Sequence, residues 1–205
     1  MRSVLQPDLF GASGLPQGLQ YRPEFVGHAE EAALLRILAD LPFREATFRQ
    51  YTARRRVVRF GHLFDPEQCT WIQGDPLPDW LAAVRGKVAR WRGVSEDVFS
   101  HALVTEYRPG TPIGWHRDKP EYGNVVGLSL GAACRMRFRP CGIPRDRGAV
   151  VALELAPRSL YVMEDDVRHR WQHSIPPAKA LRYSITLRTL APPAVAERSG
   201  GMPRD

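Results

Sequence analysis

The spacing of hydrophobic positions changes about halfway along the chain. In the first half, HAEEAALLRILADLPF repeats apolar residues at helical intervals and predicts a helix over about residues 28–41. A second helix is predicted in DPLPDWLAAVRGKVARWRGV, starting near Asp79 after a proline turn and ending at Gly93. Between them, ATFRQYTARRRVVRFGHLF is typical of extended strands and hairpins with a strongly basic stretch.

After residue 100 the pattern becomes one of short runs in which apolar and polar residues alternate, separated by Gly, Pro or charged clusters. The runs are HALVTEY, NVVGLSLG, CRMRFRP, AVVALELA, SLYVME, HRWQHSI and LRYSITLRTL. Short strands at this spacing indicate a β-sandwich or a barrel of the jelly-roll type. The expected fold class is therefore α+β and mainly β, with a jelly-roll core flanked by N-terminal helices and hairpins.

The domain organisation follows from length and local composition. A chain of 205 residues suits one domain. Residues 1–23 are rich in Gly, Pro and polar residues and predict a flexible arm, and residues 191–205 predict a disordered tail. The single domain then spans 24–190, with helices and hairpins over 24–100 and the jelly-roll core over 101–190.

Charge and cysteine content narrow the setting of the protein. The net charge of +7 favours polyanions such as nucleic acid as partners. The three cysteines show no CxxC spacing, which argues against a disulfide framework or a structural zinc site and fits a reducing cytoplasm. The sequence shows no apolar secretion signal and no apolar run of membrane-spanning length, so a cytoplasmic monomer without membrane association is expected.

A candidate metal site begins in PIGWHRD, where His116 stands two residues before Asp118. Alone, such a pair is common by chance, and a surface loop with a hydrogen-bonded histidine is the alternative. In a two-sheet barrel, His173 from the distant run HRWQHSIP can converge with this pair. Two imidazoles and one carboxylate form the facial triad that holds Fe(II) and leaves positions open for a cosubstrate and dioxygen. His169 is the rival third ligand, because in a continuous strand it shares a face with His173.

A candidate anion site lies in RYSITLR, where Arg182 and Arg188 are six residues apart. An even separation in a strand places both guanidinium groups on one face, alternating with an apolar set. That set is Tyr183, Ile185 and Leu187. Inward-facing arginines are costly unless paired, and a dicarboxylate ligand matches the arginine fork. The alternative is an edge strand with two solvated arginines.

Together, the HxD pair, the histidine of WQHSIP and the Arg-x5-Arg spacing resemble the AlkB family of Fe(II)/2-oxoglutarate-dependent dioxygenases. The similarity extends over about residues 53–190 and includes RRRVVRFG, PLPDWL and LVTEYRPGTPIGWHRDK. The resemblance implies a double-stranded β-helix core in which His116, Asp118 and His173 hold iron. It also implies that the hairpins within 24–100 form a substrate lid. The implied cofactors are Fe(II), 2-oxoglutarate and O2.

The same resemblance assigns the cosubstrate contacts. Arg182 would pair with the distal carboxylate of 2-oxoglutarate, and Arg188 would lie near the end that chelates iron. Tyr107 matches a tyrosine that hydrogen-bonds the cosubstrate in the family. Thr105 stands where the family often has asparagine and is a weaker candidate for the same task.

The implied activity is oxidative dealkylation of N-alkylated nucleobases in DNA or RNA, through ferryl hydroxylation and formaldehyde release, in repair of alkylation damage. The candidate substrate contacts are a basic run, two aromatic residues and one carboxylate: Arg54, Arg55, Arg56, Arg59, Trp115, Phe60 and Glu121. The alternative for the four arginines is a solvated basic strand. The alternative for the two aromatic residues is a place in the protein core. Pro120 occupies a position where DNA-repair members often have an acidic residue. A tRNA nucleoside or a protein side chain as substrate therefore stays open, as does a non-catalytic nucleic-acid-binding jelly roll.

The N-terminal arm contains a candidate partner motif. QPDLF, with Gln6, Leu9 and Phe10, resembles the short peptides by which bacterial repair proteins dock on the sliding clamp. A flexible arm that displays an apolar Leu-Phe pair suits peptide-in-groove recognition. The alternative is an ordinary chain terminus.

Overall fold

The computed structural model describes residues 15–48, 51–142 and 150–191. The helices are α1 (His28–Ala39), α2 (Asp79–Arg92) and the short α3 (Asp165–His169). The strands are β1 (Leu19–Arg22), β2 (Arg44–Phe48), β3 (Tyr51–Asp65), β4 (Thr70–Gln73), β5 (His101–Tyr107), β6 (Ile113–His116), β7 (Tyr122–Gly131), β8 (Cys134–Pro140), β9 (Val151–Leu155), β10 (Ser159–Met163), β11 (Trp171–Ile175) and β12 (Arg182–Leu190).

The strands form two antiparallel sheets. The large sheet has the order β1-β10-β7-β12-β5-β3-β2, with β4 paired to β3. The small sheet has the order β6-β11-β8-β9. The two sheets face each other across one apolar cluster, which includes Val125, Met136, Phe138 and Ile175. This arrangement confirms the mainly β, jelly-roll fold class, and the space between the sheets is where the candidate ligands converge.

A second apolar cluster covers the other face of the large sheet. There α1 and α2 pack on the sheet through Leu38 and Leu81, against Leu128 and Ile185 of the strands. The helix α2 starts at Asp79 after Pro78 and ends at Gly93, whose φ of 68° is a left-handed conformation that glycine adopts without strain. Both ends agree with the sequence prediction.

Two predicted boundaries need correction. The predicted flexible arm, residues 1–23, reaches too far, because Leu19–Arg22 form β1 and pair with β10 at the edge of the large sheet. The first helix ends at Ala39 rather than at residue 41, with Asp40 as its cap. The clamp-like segment with Gln6, Leu9 and Phe10, and residues 192–205 of the predicted tail, lie outside the described residues.

No helix in the described part of the chain combines the length and the apolar character that crossing a membrane requires.

Candidate metal and cosubstrate site

The pairing of β6 with β11 brings two histidines together. His116 ends β6 and lies directly opposite His173 of β11 in the antiparallel register. His173 alternates with outward-facing neighbours and is buried, 8% exposed. Asp118 follows β6 by two residues, at the start of the loop that leads into β7. The histidine pair therefore follows from strand register, and the carboxylate from the loop.

The three side chains form a compact donor cluster. One potential ligand atom from each of His116, Asp118 and His173 lies within 4.8 Å of the others. The two imidazole centroids are 4.2 Å apart. Nδ1 of His116 donates to the carbonyl oxygen of Gly114 at 2.9 Å, and its Nε2 faces Oδ1 of Asp118 at 3.9 Å. The hydrogen bond from Nδ1 fixes the ring so that Nε2 is the atom available to a metal.

The electrostatics of the cluster favour metal binding. Burial alone would raise the pKa of Asp118, but Arg188, with Nη2 at 3.3 Å, and the two imidazoles hold that pKa well below its usual range. Burial and the neighbouring His116 lower the pKa of His173 to about 3. A metal requires an ionised carboxylate and neutral imidazole ligands, and at neutral pH these shifts favour the ionised Asp118 and the neutral His173.

Arg182 has donors that no described residue satisfies. The side chain is 1% exposed, and its Nε donates to Oγ of Ser129 at 3.0 Å. Both terminal nitrogens, Nη1 and Nη2, are buried and have no hydrogen-bond partner among the described residues. A buried guanidinium with free donors is costly unless an anion completes it. The arrangement therefore fits a ligand carboxylate.

Neighbouring strand β5 supplies the other predicted cosubstrate contacts. Tyr107 lies opposite Arg182 in the β5–β12 register, and its ring lies 5.0 Å from the guanidinium carbon of Arg182. Thr105 lies opposite Ser184, two residues along on the same strand face, and is buried. The structure thus gathers Tyr107, Thr105 and Arg182 on the inner face of the large sheet. The side chains of Tyr107 and Thr105, which carry hydroxyl groups, therefore lie on the same side of the sheet as the guanidinium of Arg182.

Two residues that sequence reasoning missed complete this inner face. Ser129 orients Arg182, as described above. The ring of Tyr161 lies over Gly127, where an added Cβ would come within 2.2 Å of it, and burial raises the pKa of Tyr161 to about 12. Tyr161 is therefore a neutral phenol close to Arg182. Strand alternation in SLYVM could have indicated that Tyr161 points inward.

Arg168 was also missed, and it organises the loop that carries Asp118. It is 3% exposed and belongs to α3. Its guanidinium donates to the carbonyl oxygens of Gly123 and Lys119 at 2.6 and 2.7 Å and to that of Tyr122 at 2.5 Å. One buried side chain thus ties together the segment between Asp118 and β7. This contact cannot be predicted from a local sequence pattern, because it depends on where α3 lies in the folded chain.

His169 does not join the cluster. It was the rival third ligand on the assumption that HRWQHSI is one strand, but residues 165–169 form α3 and the strand begins only at Trp171. His169 is exposed at the end of that helix. The strand-face argument for His169 was therefore wrong.

The basic run of β3 divides between two faces. Phe60 packs in the helix-covered core, and Arg56, four residues before it, lies on the same face of β3. Arg59 lies on the opposite, inner face. Arg56 directs Nε and Nη2, two of its three guanidinium nitrogens, to the Glu106 carboxylate at 2.8 Å each, so its predicted contact with phosphates stays a prediction. Arg54 and Arg59 are exposed and Arg55 is half-buried.

The predicted aromatic contacts lie away from the metal cluster. Phe60 is a core residue in edge contact with Trp80. Trp115 adjoins His116 on β6 and therefore points to the opposite, outer face of the small sheet, where Arg137 and Arg139 cover its ring. Glu121 is half-buried, and its Oε2 is buried without a hydrogen-bond partner among the described residues.

Comparison with known proteins agrees with this geometry. The family profile described as "2OG-Fe(II) oxygenase superfamily" matches residues 18–188. A zebrafish (Danio rerio) protein named "Probable RNA/DNA demethylase ALKBH6" is 28% identical over 169 residues, which cover 78% of this chain and 70% of that protein. The human (Homo sapiens) "DNA oxidative demethylase ALKBH2" is 31% identical over 127 residues, which cover 56% of this chain and 48% of that protein. The match thus spans about half the length of the human relative.

Solved structures share the fold. "The structure of OsALKBH1" superposes with a TM-score of 0.62 at 16% identity and covers 85% of this chain and 98% of that one. A Pseudomonas putida prolyl-4-hydroxylase superposes with a TM-score of 0.58 at 18% identity and covers 85% of this chain and 93% of that one. These likenesses concern the jelly-roll architecture alone.

Proposed function

We propose that this chain, which belongs to the 2OG-Fe(II) oxygenase superfamily and is AlkB-like within it, oxidatively dealkylates N-alkylated nucleobases in DNA or RNA. The family makes the chain a 2-oxoglutarate-dependent dioxygenase that uses Fe(II), 2-oxoglutarate and O2. The proposed biological role is repair of alkylation damage. Two relatives whose names describe nucleic-acid demethylases support this substrate class.

The residues present fit the iron. Two neutral imidazoles and an ionised carboxylate are the donor set of the facial triad for Fe(II). His116, Asp118 and His173 would hold the ion, and their mutual distances support this role. When bound, Fe(II) and 2-oxoglutarate supply the oxidising chemistry that inserts one oxygen atom of O2 into a substrate C–H bond. Arg188 keeps Asp118 ionised through the contact at 3.3 Å.

The residues present also fit the cosubstrate. Arg182 would bind the distal carboxylate of 2-oxoglutarate through its two unpartnered terminal nitrogens. Ser129 holds the guanidinium in position, and Tyr107 lies against its face. Arg188 lies beside the donor cluster, near the end of the cosubstrate that would chelate iron. One observation carries the proposal: the unpartnered guanidinium of Arg182, on the large sheet, faces the same space between the sheets as the metal donors of the small sheet and its following loop.

Charge distribution supports a nucleic-acid substrate. The net charge is +7, and the exposed Arg54 and Arg59 lie on β3, which borders β5. Cationic side chains at these positions would contact phosphates. The unpartnered Oε2 of Glu121 would accept a hydrogen bond from the exocyclic amine of a base that has left the stack.

The direct test is a demethylation assay on oligonucleotides that contain 1-methyladenine or 3-methylcytosine, in DNA and in RNA. The protein with Fe(II), 2-oxoglutarate and O2 should remove the methyl group, detected by mass spectrometry, with formaldehyde and succinate in equal amounts. Asp118→Ala is the matched inactive control. Succinate formation without loss of methyl from any of these oligonucleotides would contradict the nucleobase assignment and leave the oxygenase chemistry standing.

A further inference from the structure

Three arginines form a row on the outer face of the small sheet. Cys134, Met136 and Phe138 of β8 face the core between the sheets, so the alternate residues of β8 face outward. Those residues are Arg135, Arg137 and Arg139, which we call the arginine row. Two-residue intervals along a strand place neighbouring side chains about 6.6 Å apart. The row is independent of the metal cluster, because the cluster lies on the other side of this sheet.

Two members of the row are held in place by the sheet. Nε of Arg137 donates to Oγ of Ser174 at 3.1 Å, and Nε of Arg139 donates to Oε1 of Gln172 at 2.8 Å. Their guanidinium carbons lie 5.1 and 4.4 Å from the ring centroid of Trp115. Cation–π contacts of this kind restrain both planes. An arginine that only extends into solvent would not make these hydrogen bonds and ring contacts, so Arg137 and Arg139 are ordered at the surface.

The anchoring leaves the terminal nitrogens available. Among the described residues, the hydrogen bonds of Arg137 and Arg139 use only Nε, and their terminal nitrogens are not among the buried unpartnered atoms. Each guanidinium therefore presents two amino groups to solvent in a fixed orientation. Ordering a long side chain before binding removes an entropic cost that binding would otherwise carry.

The face carries an excess of positive charge. The four strands of the small sheet contain three arginines and a single acidic residue, Glu154, which pairs with Arg135 at 3.5 Å. Arg137 and Arg139 have no carboxylate partner among the described residues. A fixed positive surface of this kind complements a polyanion.

The row continues toward the metal cluster. Beyond Arg139, a groove of about 530 Å³ is lined by Pro140, Arg170 and Arg117 and also by Asp166. Asp166 pairs with Arg170 at 3.7 Å, so Arg117 is the arginine of this groove without a carboxylate partner among the described residues. Arg117 stands between His116 and Asp118 in the sequence, and its Nη1 donates to the carbonyl oxygen of His169 at 3.2 Å. A polyanionic strand that follows the row would therefore arrive at the loop that carries Asp118.

We propose that the arginine row binds the phosphodiester backbone of the nucleic-acid strand whose alkylated base enters the site. This role rests on the proposed function and adds the path that the strand takes. Arg137 and Arg139 contact successive phosphates through their terminal amino groups, and Trp115 holds both guanidiniums at the required spacing. Phosphate contacts of this kind position the strand without reading its sequence.

The test compares Arg137→Gln/Arg139→Gln with a matched double variant, Arg36→Gln/Arg90→Gln. Arg36 and Arg90 are exposed on α1 and α2, on the far side of the large sheet, and their replacement removes the same charge. Binding of a fluorescein-labelled single-stranded DNA is measured by anisotropy over a series of salt concentrations. The row variant should lower the slope of log Kd against log salt by about 1.4, since each phosphate contact on a single strand contributes about 0.7. The control should keep most of the slope.

A second readout separates binding from chemistry and from folding. The row variant should demethylate a free 1-methyladenine nucleoside at the wild-type rate, and its KM for the oligonucleotide should rise. Trp115→Leu, which keeps every charge, should weaken DNA binding by a smaller factor because the guanidiniums lose their support. Thermal melting of each variant confirms that the fold is intact.

The outcomes distinguish this surface from the proposed function. If the wild-type protein demethylates and binds the DNA while the row variant keeps the salt slope of the control, the arginine row is not the phosphate surface and only this inference falls. Equal displacement of the DNA by poly-glutamate would also overturn it, because the site would then accept any polyanion. If the wild-type protein binds no nucleic acid at low salt, both the row and the nucleobase assignment fail.

Discussion

On β12, Tyr183, Ile185 and Leu187 pack in the helix-covered core, whereas Arg182 and Arg188 of the same strand face the space between the sheets. Strand β7 shows the same division between Leu128 and Ser129, which are adjacent in sequence and point to opposite sides. The two faces of one sheet therefore have separate tasks. Because side chains alternate, we expect that substitutions on the helix face change stability and that those on the inner face change ligand binding.

The largest effect should come from Leu128→Ala on the helix face. The side chain is 1% exposed, and its truncation leaves a cavity that costs roughly 2–5 kcal/mol of unfolding free energy. Urea denaturation measures this loss. The folded fraction should bind 2-oxoglutarate as the wild type does. A large change in cosubstrate affinity without a loss of stability would break the division between the faces.

Arg182→Gln on the inner face should have the opposite effect: it should weaken cosubstrate binding more than it lowers stability. The Kd for 2-oxoglutarate should rise about 100-fold, since two charge-assisted hydrogen bonds are lost at about 1.5 kcal/mol each. An anaerobic titration monitored by the Fe(II)–2-oxoglutarate absorption band gives this Kd. Ser129→Ala is the graded control: it removes the hydrogen bond that orients Arg182 and should raise the same Kd by a smaller factor. Wild-type affinity in Arg182→Gln would mean that another residue binds the distal carboxylate.

Arg168→Met tests a third case, because Arg168 is a buried residue of α3 that supports a loop and does not bind a ligand. Its replacement leaves carbonyl oxygens of residues 119–123 without their donor and should cost about 2 kcal/mol of unfolding free energy. Because the same loop carries Asp118, the affinity for Fe(II) should fall as well. A stability loss with unchanged Fe(II) affinity would restrict Arg168 to a structural role.

The inner face should also make stability depend on pH. Burial and Arg188 lower the pKa of His101 to about 3 in the folded state, and burial lowers that of His173 to about 3, from an ordinary value of 6.5. The unfolded chain takes up these protons below pH 6.5 and the folded chain does not. The contribution of these two histidines to the free energy of unfolding is therefore fully present above pH 6.5 and is lost as the pH falls toward 3. Each histidine contributes about 1.4 kcal/mol per pH unit.

Denaturation of the metal-free protein between pH 7 and pH 4 measures this dependence. His101→Gln removes one of the two groups and should leave a shallower slope than the wild type. A slope that is unchanged in His101→Gln would contradict the contribution of this buried histidine.

Residue spacing alone predicted the two arginines of the inner face, whereas Tyr107 and Thr105 came from the resemblance. The six-residue interval between Arg182 and Arg188 requires that both share a strand face, and the structure places both there. The convergence of the HxD pair with His173 was proposed from the expected two-sheet barrel and then supported by the resemblance. The pairing of β6 with β11, which produces it, could not be predicted from the residues alone. Alternation also places Trp115 on the face opposite to His116, against Arg137 and Arg139, so its predicted substrate contact cannot be made beside the metal cluster and stays a prediction for the outer face.

Other features could not be predicted from the sequence because they depend on strand register or on tertiary packing. The pairing of Arg56 with Glu106 follows from the β3–β5 register, and nothing local to the basic run indicates it. The helical turn at His169 overrides an apparent strand pattern. Arg168 reaches four residues of a loop nearly fifty positions away, so its role appears only in the folded chain.

The most direct test concerns the metal donors. Anaerobic titration with Fe(II) in the presence of 2-oxoglutarate should show one equivalent bound by the wild type. In Asp118→Ala and in His173→Ala, the affinity should fall at least about 100-fold, while the melting curve of each variant still shows a folded protein. Retention of wild-type stoichiometry and affinity in His173→Ala would show that iron is not held by His116, Asp118 and His173 together, and it would contradict the site proposed for this chain.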